Sequence, residues 1–243
     1  MTLALALVLA TPQQPPAPLA GVRIVIDPGH PSENGNGTRG RDVTELEICW
    51  KIGLSFKEYL RRRGAEVILT KSSQNERVTN RRRAEIANQA RAHYSIRLHC
   101  DAANRGGFAS YYPDRQGRVD GITGPAPSVI EQSRRYAQVF HPALAQGLGG
   151  ALRNNGLLTD RQTAIGGRQG ALSGSIYSEV PVVLVEMAVL TIRSDEEWIS
   201  RRENQLKYAE ALAAAVEAVF RKYPVTVGAS AGGSTVASTV SVE

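Results

Sequence analysis

Residues 22–30 read VRIVIDPGH, a run of β-branched residues that stops at Asp-Pro-Gly and leads directly into His30. A short apolar run bounded by turn residues is typical of a buried strand, and Pro28 with Gly29 makes the chain turn at its end. We therefore expect His30 to stand at the carboxyl edge of a buried strand. In a parallel sheet this is the edge at which ligands bind.

Four further segments have the composition of strands. Three of them are β-branched runs, at 66–70 (EVILT), 94–98 (YSIRL) and 182–185 (VVLV). The fourth, at 107–112 (GFASYY), has a weaker strand pattern. Since a parallel sheet is reached by crossover connections, the segments between these strands are expected to be helical.

Helical patterns do alternate with the predicted strands. Apolar residues recur every four positions from Ile48 to Leu60, and helices are predicted at about 78–90 and 129–152. The last predicted helix starts at Ser194 with SDEE, a capping-box pattern, and runs to Tyr223. This alternation predicts an α/β fold: a mostly parallel, mixed and twisted β-sheet flanked by helices on both faces, in a single catalytic domain.

The two ends of the 243-residue chain differ from its middle. Residues 3–10 (LALALVLA) are too few to span a bilayer and resemble the apolar part of an export signal, although no basic residue precedes them. We expect this signal-like segment and a Pro-rich linker at 1–20, the catalytic domain at 21–223 and a low-complexity tail at 224–243. The first segment predicts export to the periplasm or cell wall, without a transmembrane span.

Composition narrows the class of protein without naming it. Hydrophobic residues make up 42% and charged residues 21%, which excludes a collagen-like or wholly disordered chain. The net charge of +6 favours an anionic partner, but no nucleic-acid-binding module accompanies it. Cys49 and Cys100 allow at most one disulfide, and either that bond or two buried free thiols fits the sequence.

Polar side chains follow three of the predicted strands at the point where each strand ends. These are His30, His99 and Glu186. A single histidine at a strand end is more often a surface or packing residue, and His93 and His141 are interpreted in that way. A carboxylate within VVLVEMAVL is different, because burying it without a cation, a metal or a proton costs several kcal/mol.

A fourth polar group, Glu45, lies at the start of the first predicted helix. Thr44 to Glu47 (TELE) has the form of a capping box, which explains Glu47 but not Glu45. Glu45 precedes Ile48 by three residues and so lies on the apolar face that turns toward the sheet. The alternative interpretation is an acidic first turn that stabilises the helix dipole.

Together, His30, Glu45 and His99 form a set of two histidines and one carboxylate. This set suits a catalytic zinc ion, one per chain, which keeps one coordination position open for water. Zinc lowers the pKa of its water to roughly 7, so zinc-bound water is the expected nucleophile. Glu186 is the expected general base and acid, which takes the proton of that water and passes it to a leaving amine. The helical HExxH motif of many zinc peptidases is absent from the sequence.

The order of these motifs resembles one family. VRIVIDPGH, Glu45, RRRGAEVILTK, SIRLHCDAA and PVVLVEMAVLT follow one another as in zinc-dependent N-acetylmuramoyl-L-alanine amidases of the amidase_3 type, over about residues 21–221. The resemblance implies that His30, Glu45 and His99 hold the zinc and that Glu186 is catalytic. It also implies hydrolysis of the amide between N-acetylmuramic acid and L-alanine in peptidoglycan.

The sequence departs from the family pattern at a few positions. Pro31-Ser32 replaces a common Gly-Gly pair, RLHCD replaces a SIHAN-type segment, and Ala188-Val189 replaces Gly-Phe. The weakly matching, Gly-rich stretch 104–174 is expected to hold loops around the cleft, and an inhibitory segment or an activating partner is left open.

Three interpretations of the chain remain at this stage. Besides the amidase, they are a zinc peptidase that acts within the stem peptide and a non-catalytic module that binds the cell wall. Arg97, which lies two residues before His99, is predicted either to bind a substrate carboxylate or to serve as a structural ion-pair partner.

Overall fold

The computed structural model describes residues 17–225. The strands are β1 (Arg23–Pro28), β2 (Glu66–Leu69), β3 (Tyr94–Asp101), β4 (Phe108–Tyr112), β5 (Gly117–Val119), β6 (Ile122–Gly124), β7 (Asn154–Thr159) and β8 (Val182–Val189). The helices are α1 (Glu45–Arg62), α2 (Asn80–Gln89), α3 (Pro127–Leu148), α4 (Ala164–Gln169), α5 (Ser173–Ile176), α6 (Arg193–Ser200) and α7 (Arg202–Lys222), with a short 3₁₀ helix at Asp160–Gln162. The apolar run at 3–10 and nearly all of the predicted tail lie outside the described residues. Within them, no helix is both long and apolar enough to cross a membrane.

Six of the strands form one mixed sheet in the order β2-β1-β3-β8-β4-β7. Strand β4 runs antiparallel to β8, and the other neighbouring pairs are parallel. Strands β5 and β6 make a separate two-stranded hairpin. The predicted mostly parallel, mixed sheet is therefore confirmed, with β1, β3 and β8 next to one another in its centre.

Helices cover both faces of the sheet because the buried strands present apolar side chains on both sides. In β1, Ile24 and Ile26 belong to the main core, which is completed by residues of α1, α3 and α7. Val25, which alternates with them, points to the opposite face and packs with Ala87 of α2. A strand that is apolar on both faces is what a parallel sheet between two helical layers requires.

Helix α1 begins where the sequence predicted. Thr44 is its N-cap and accepts a hydrogen bond from the amide of Glu47 at 3.3 Å. The other half of the predicted capping box is wrong, since the Glu47 carboxylate pairs with Lys51 one turn later. The apolar stripe from Ile48 to Leu60 is fully buried, as its four-residue spacing predicted.

The last predicted helix is divided into α6 and α7 by the extended backbone of Arg201. The predicted capping box at Ser194 is also wrong, because Ile192 is the N-cap and no side chain caps this end. The acidic residues bind other segments instead. Asp195 accepts the amides of Gly107 and Val189, and Glu196 accepts those of Asp42 and Val43. Both are nearly fully buried, and Glu196 joins α6 to the loop before α1, whereas Asp195 joins it to the start of β4 and the end of β8.

A buried ion cluster ties the carboxyl end of β1 to its surroundings. Asp27 is 1% exposed and accepts hydrogen bonds from Arg83 at 2.6 Å, Arg97 at 3.1 Å and Thr70 at 2.5 Å. Burial opposes its ionisation, but the two guanidinium groups and the hydrogen bonds hold the pKa of Asp27 well below its usual range. The cluster therefore joins β1, β3, α2 and the segment after β2 through one carboxylate.

We expect Asp27→Asn to lower the free energy of unfolding by about 3–5 kcal/mol, because two buried guanidinium groups lose their counter-charge. Chemical denaturation at pH 7, followed by circular dichroism, measures the change. Since the pKa of Asp27 is depressed, its contribution is present above about pH 4 and declines as the pH falls further. The difference between wild type and D27N should shrink accordingly in acid.

The matched control is Glu131→Gln, which breaks an exposed ion pair with Arg134 on α3. It should leave the unfolding transition within experimental error. If D27N behaved like this control at pH 7, the cluster would not be a determinant of stability.

Candidate metal centre and cleft

Three of the predicted site residues meet at the carboxyl edge of the sheet. His30 lies in the loop after β1, Glu45 is the first residue of α1, and His99 lies near the end of β3. One possible ligand atom from each lies within 4.8 Å of the others. Oε1 of Glu45 is 3.2 Å from Nε2 of His30 and 2.8 Å from Nδ1 of His99. Within residues 17–225, this is the only such group of three or more potential ligands.

The Glu45 carboxylate is held in place by main-chain amides. Oε2 accepts the amide of Thr38 at 2.7 Å, and Oε1 accepts the amide of Cys100 at 3.1 Å. Burial opposes ionisation of this group, but its hydrogen bonds to His30 and His99 hold the pKa of Glu45 well below the usual range. The group is thus a fixed, buried anion that faces two imidazole rings.

The hydrogen bonds of the two histidines favour a cation between them and Glu45. Nδ1 of His30 lies 3.1 Å from the carbonyl of Gly35, to which it donates, and this leaves the lone pair of Nε2 facing the carboxylate. These two atoms, each with a lone pair and 3.2 Å apart, repel each other unless a proton or a metal ion binds both. An assembly of two imidazoles and one carboxylate is a donor set of catalytic zinc, so these residues fit that ion.

The two imidazoles differ in their electrostatics. Burial lowers the pKa of His30, but the hydrogen bond and charge of Glu45 outweigh it, so that the pKa is raised. Burial dominates for His99, and its pKa is lowered despite the same carboxylate. Nε2 of His99 is buried and has no hydrogen-bond partner within residues 17–225. A neutral His99 is therefore favoured, which is the form that binds a metal.

Two glycines let the chain pass close to these side chains. A Cβ atom at Gly37 would lie 2.5 Å from Oε2 of Glu45 and 2.6 Å from Cδ2 of His30, and the φ of Gly37 is +83°. A Cβ atom at Gly29 would lie 2.8 Å from Cε1 of His99. Any larger residue at these positions would displace a candidate ligand, because Cβ contacts this short do not occur in folded proteins.

A cleft of about 270 Å³ opens beside the three residues. Its floor comes from β3 and β8, in which Arg97 pairs with Leu184 and His99 with Glu186. Alternate residues of a strand share a face, so these four side chains point the same way. The rest of the lining comes from the His30 loop, from α2 and from the stretch between β7 and β8, and consists of His30, Ser32, Asn34, Asn80, Thr163, Ala164, Ile165, Leu172 and Ser173.

Glu186 stands next to His99 on the neighbouring strand. Its Oε2 is buried and has no hydrogen-bond partner among residues 17–225. Burial raises the pKa of Glu186 well above its ordinary value, and the negative charges of Glu45 and Asp101 raise it further. A carboxyl group with raised proton affinity, in a cleft beside a candidate metal centre, is suited to proton transfer.

Arg97 was predicted either to bind a substrate carboxylate or to form a structural ion pair, and the structure shows an ion pair with Asp27. Its Nε donates to Asp27 and its Nη2 donates to Oδ1 of Asn80 at 2.6 Å. The side chain is 5% exposed but lines the cleft. A Cβ atom at Gly174 would lie 2.5 Å from Nη1, so this glycine leaves space for the guanidinium group.

The other histidines and the cysteines lie outside the metal cluster. His141 is buried between Ser110 and Asn154, and His93 accepts the amide of Arg23, so both are packing residues as predicted. Cys49 and Cys100 are free, buried thiols. Of the two states that the sequence left open, the structure therefore has the reduced one.

Sequence reasoning missed a large part of the cleft. Asn80, Thr163, Ile165 and Ser173 line it, but no local pattern marks them. The strand β7 was also missed, since its sequence NNGLLT begins with residues that are rare in strands. The Gly-rich stretch 104–174 does contribute to the cleft, through Thr163, the start of α4 and the segment that leads into α5.

Comparisons with known proteins identify the family of the chain. A family model described as N-acetylmuramoyl-L-alanine amidase (Amidase_3) matches residues 24–218. The uncharacterized protein YqiI of Bacillus subtilis is 26% identical over 217 residues, which cover 89% of this chain and 93% of YqiI. The N-acetylmuramoyl-L-alanine amidase LytC of the same organism is 27% identical over 198 residues, or 80% of this chain and 35% of LytC.

A solved structure shows the same fold. The N-acetylmuramyl-L-alanine amidase Ami1 of Mycobacterium smegmatis superposes with a TM-score of 0.68 and 21% identity, covering 84% of this chain and 99% of Ami1. Since the family model spans most of the described domain, the chain belongs to the Amidase_3 family of N-acetylmuramoyl-L-alanine amidases.

Proposed function

We propose that this chain is a zinc-dependent amidase that cleaves the bond between the lactyl group of N-acetylmuramic acid and L-alanine in peptidoglycan. Peptidoglycan amidase activity is the activity of its family. The finer proposal rests on one arrangement. Imidazole nitrogens of His30 and His99 lie beside the same buried carboxylate oxygen of Glu45, and Glu186 pairs with His99 on the next strand.

The same three residues are the proposed zinc ligands, one ion per chain. Glu45 contributes the negative charge, and the hydrogen bond from His30 to Gly35 orients one imidazole toward it. When bound, zinc supplies Lewis-acid polarisation of a carbonyl group and makes hydroxide available at neutral pH.

Glu186 is the proposed general base and acid. Its Oε2 takes a proton from the attacking water and later delivers it to the nitrogen of the leaving alanine, so that one group serves both half-reactions. A raised pKa supports the second transfer, because the carboxyl group retains the proton until the amine leaves. A residue placed in this way contributes about 10²–10⁴-fold to the rate.

The remaining lining suits a short peptide attached to a sugar. Ala164, Ile165, Leu172 and Leu184 give the cleft apolar surface, and the scissile amide is flanked by the methyl groups of the lactyl and alanine units. Arg97 lies at the base of the cleft, where we propose that it attracts a carboxylate of the stem peptide while Asp27 and Asn80 hold it in place.

The proposed site of action is outside the cytoplasm, at the periplasm or the cell wall. Peptidoglycan is located there, and the apolar run at residues 3–10 is compatible with export. The net charge of +6 favours association with an anionic wall over distances of about a Debye length.

Removal of the metal tests the proposal most directly. Purified peptidoglycan incubated with the enzyme should release free stem peptides that begin with L-alanine and leave intact lactyl groups on the glycan. A chelator should abolish this release, and added zinc should restore it, because the nucleophile depends on the ion. Mass spectrometry of the digest and elemental analysis of the protein are the measurements.

The products separate the proposal from its alternatives. Cleavage within the stem peptide would identify a zinc peptidase instead. Tight binding to the wall with no cleavage and no bound metal would identify a binding module.

The variant Glu186→Gln should keep one zinc ion per chain and lose about 10²–10⁴-fold in kcat, because the amide cannot accept the proton. Stem-peptide release and zinc content are measured on the same preparation. Glu179→Gln, an exposed change on the loop before β8, is the control and should retain full activity. Wild-type turnover by E186Q would eliminate Glu186 as the base.

A further inference from the structure

The loop that carries His30 has an unusual pattern of main-chain hydrogen bonds. Four successive carbonyl groups, those of residues 28–31, each accept a hydrogen bond from a buried cationic side chain. Arg83 donates to the carbonyls of Pro28 at 2.7 Å and Pro31 at 3.0 Å. Lys71 donates to the carbonyls of Gly29 at 3.4 Å and of His30 itself.

The conformation of His30 explains why this loop needs support. Its φ is +52°, in the left-handed region that residues other than glycine rarely occupy. Such a conformation is unfavourable and persists only where the surroundings impose it. The carbonyl groups of a turn without regular secondary structure also need partners once they are buried.

Lys71 is built into the protein as a donor to main-chain groups. It follows β2, is 3% exposed, and donates a third hydrogen bond to the carbonyl of Gln74 at 3.0 Å. An ammonium group has three N–H bonds, and the three hydrogen bonds found here all go to carbonyl oxygens. The ring of Trp50 lies 5.6 Å from Nζ and covers the charge on one side. A lysine this deeply buried is rare in proteins unless it has a specific partner.

We propose that Lys71 is a positioning residue for the metal centre, which acts by fixing the main chain of His30. Its ammonium group holds the His30 carbonyl on the side of β2, and the Gly35 carbonyl holds Nδ1 of the ring. Because both its main chain and its ring are held, His30 keeps Nε2 directed at Glu45. Partners of this kind, one step removed from a metal, typically change its affinity 10–100-fold.

Lys71 can be tested apart from the stability of the fold, whereas Arg83 cannot. Arg83 also neutralises Asp27 and donates to the Val78 carbonyl, so its removal would disturb the central ion cluster. The hydrogen bonds found for Lys71 reach only the His30 loop and its own turn. The inference rests on the proposed zinc ligands, but it concerns metal affinity and not the reaction.

The experiment compares Lys71→Met with Lys57→Met by competition for zinc against a fluorescent chelator. Both lysines line the same surface groove, but Lys57 lies on α1, and the hydrogen bonds to the carbonyls of Gly29 and His30 come from Lys71. The apparent Kd for zinc should rise about 10–100-fold in K71M and stay unchanged in K57M. Lys71→Arg, which keeps the charge and the donors, should recover most of the affinity.

Two further measurements separate positioning from a general effect on folding. The visible absorption of the Co²⁺-substituted protein should change in K71M, because the ligand field depends on where the His30 ring lies. The melting temperature of the metal-free protein reports the fold by itself. Where K71M does not fold, Lys71→Gln, which keeps one N–H donor group, undergoes the same comparison.

The outcomes distinguish this inference from the proposed function. Zinc affinity and Co²⁺ spectra of K71M equal to those of wild type would overturn the positioning role, and the zinc amidase would stand. A lower melting temperature with unchanged zinc affinity would make Lys71 merely structural and overturn it as well. Wild-type protein that bound no zinc at all would overturn the proposed metal centre and the inference together.

Discussion

The buried carboxylate of Asp27 is the interaction on which both the fold and the site depend. Asp27 lies at the carboxyl end of β1 and forms ion pairs with Arg83 of α2 and Arg97 of β3. Each of these arginines then has a second task at the carboxyl edge of the sheet. Arg83 bonds the carbonyls on either side of His30, and Arg97 lies under the cleft. Without the anion, two buried cations would repel each other at the base of the site.

The pKa values of three buried carboxyl groups near the site differ because their neighbours differ. Asp27 faces two permanent cations, and its pKa is depressed. Glu45 faces two imidazoles and two main-chain amides, and its pKa is also depressed, so it remains an anion that can hold a metal. Glu186 is buried near the negative charges of Glu45 and Asp101, and its pKa is raised, first by burial and then by these charges. The same functional group therefore serves as a structural counter-ion, a candidate ligand and a candidate proton carrier because of its environment.

The sequence was informative where a function coincides with a local pattern. His30 follows β1 as predicted, because a strand end can be recognised from a β-branched run followed by turn residues. The predicted strand ends at His99 and Glu186 are wrong, since β3 continues to Asp101 and β8 to Val189. Lys71 and Asn80 gave no such signal, because their roles depend on hydrogen bonds to residues far along the chain, His30 at 41 positions and Arg97 at 17. The wrong capping box of α6 has the same origin. Asp195 and Glu196 satisfy amides of distant loops, and the local pattern of the helix start is overridden by tertiary contacts.

The two sides of the cleft are also held together in different ways. On the metal side, several hydrogen bonds join residues 41 to 70 positions apart, such as His30 with Lys71 and Asp27 with Arg97, beside local ones such as His30 with Gly35. On the opposite wall, the hydrogen bonds of the buried Asp160 join it to Thr163 and Leu172, 3 and 12 positions away, and Arg161 reaches Asp114, 47 positions away. A change on the metal side reaches several elements at once, because the carboxylate of Asp27 joins β1 to α2 and β3. The candidate chemistry is therefore placed where several elements are tied together, whereas Thr163 lies on a connecting segment, and such segments can vary with the substrate.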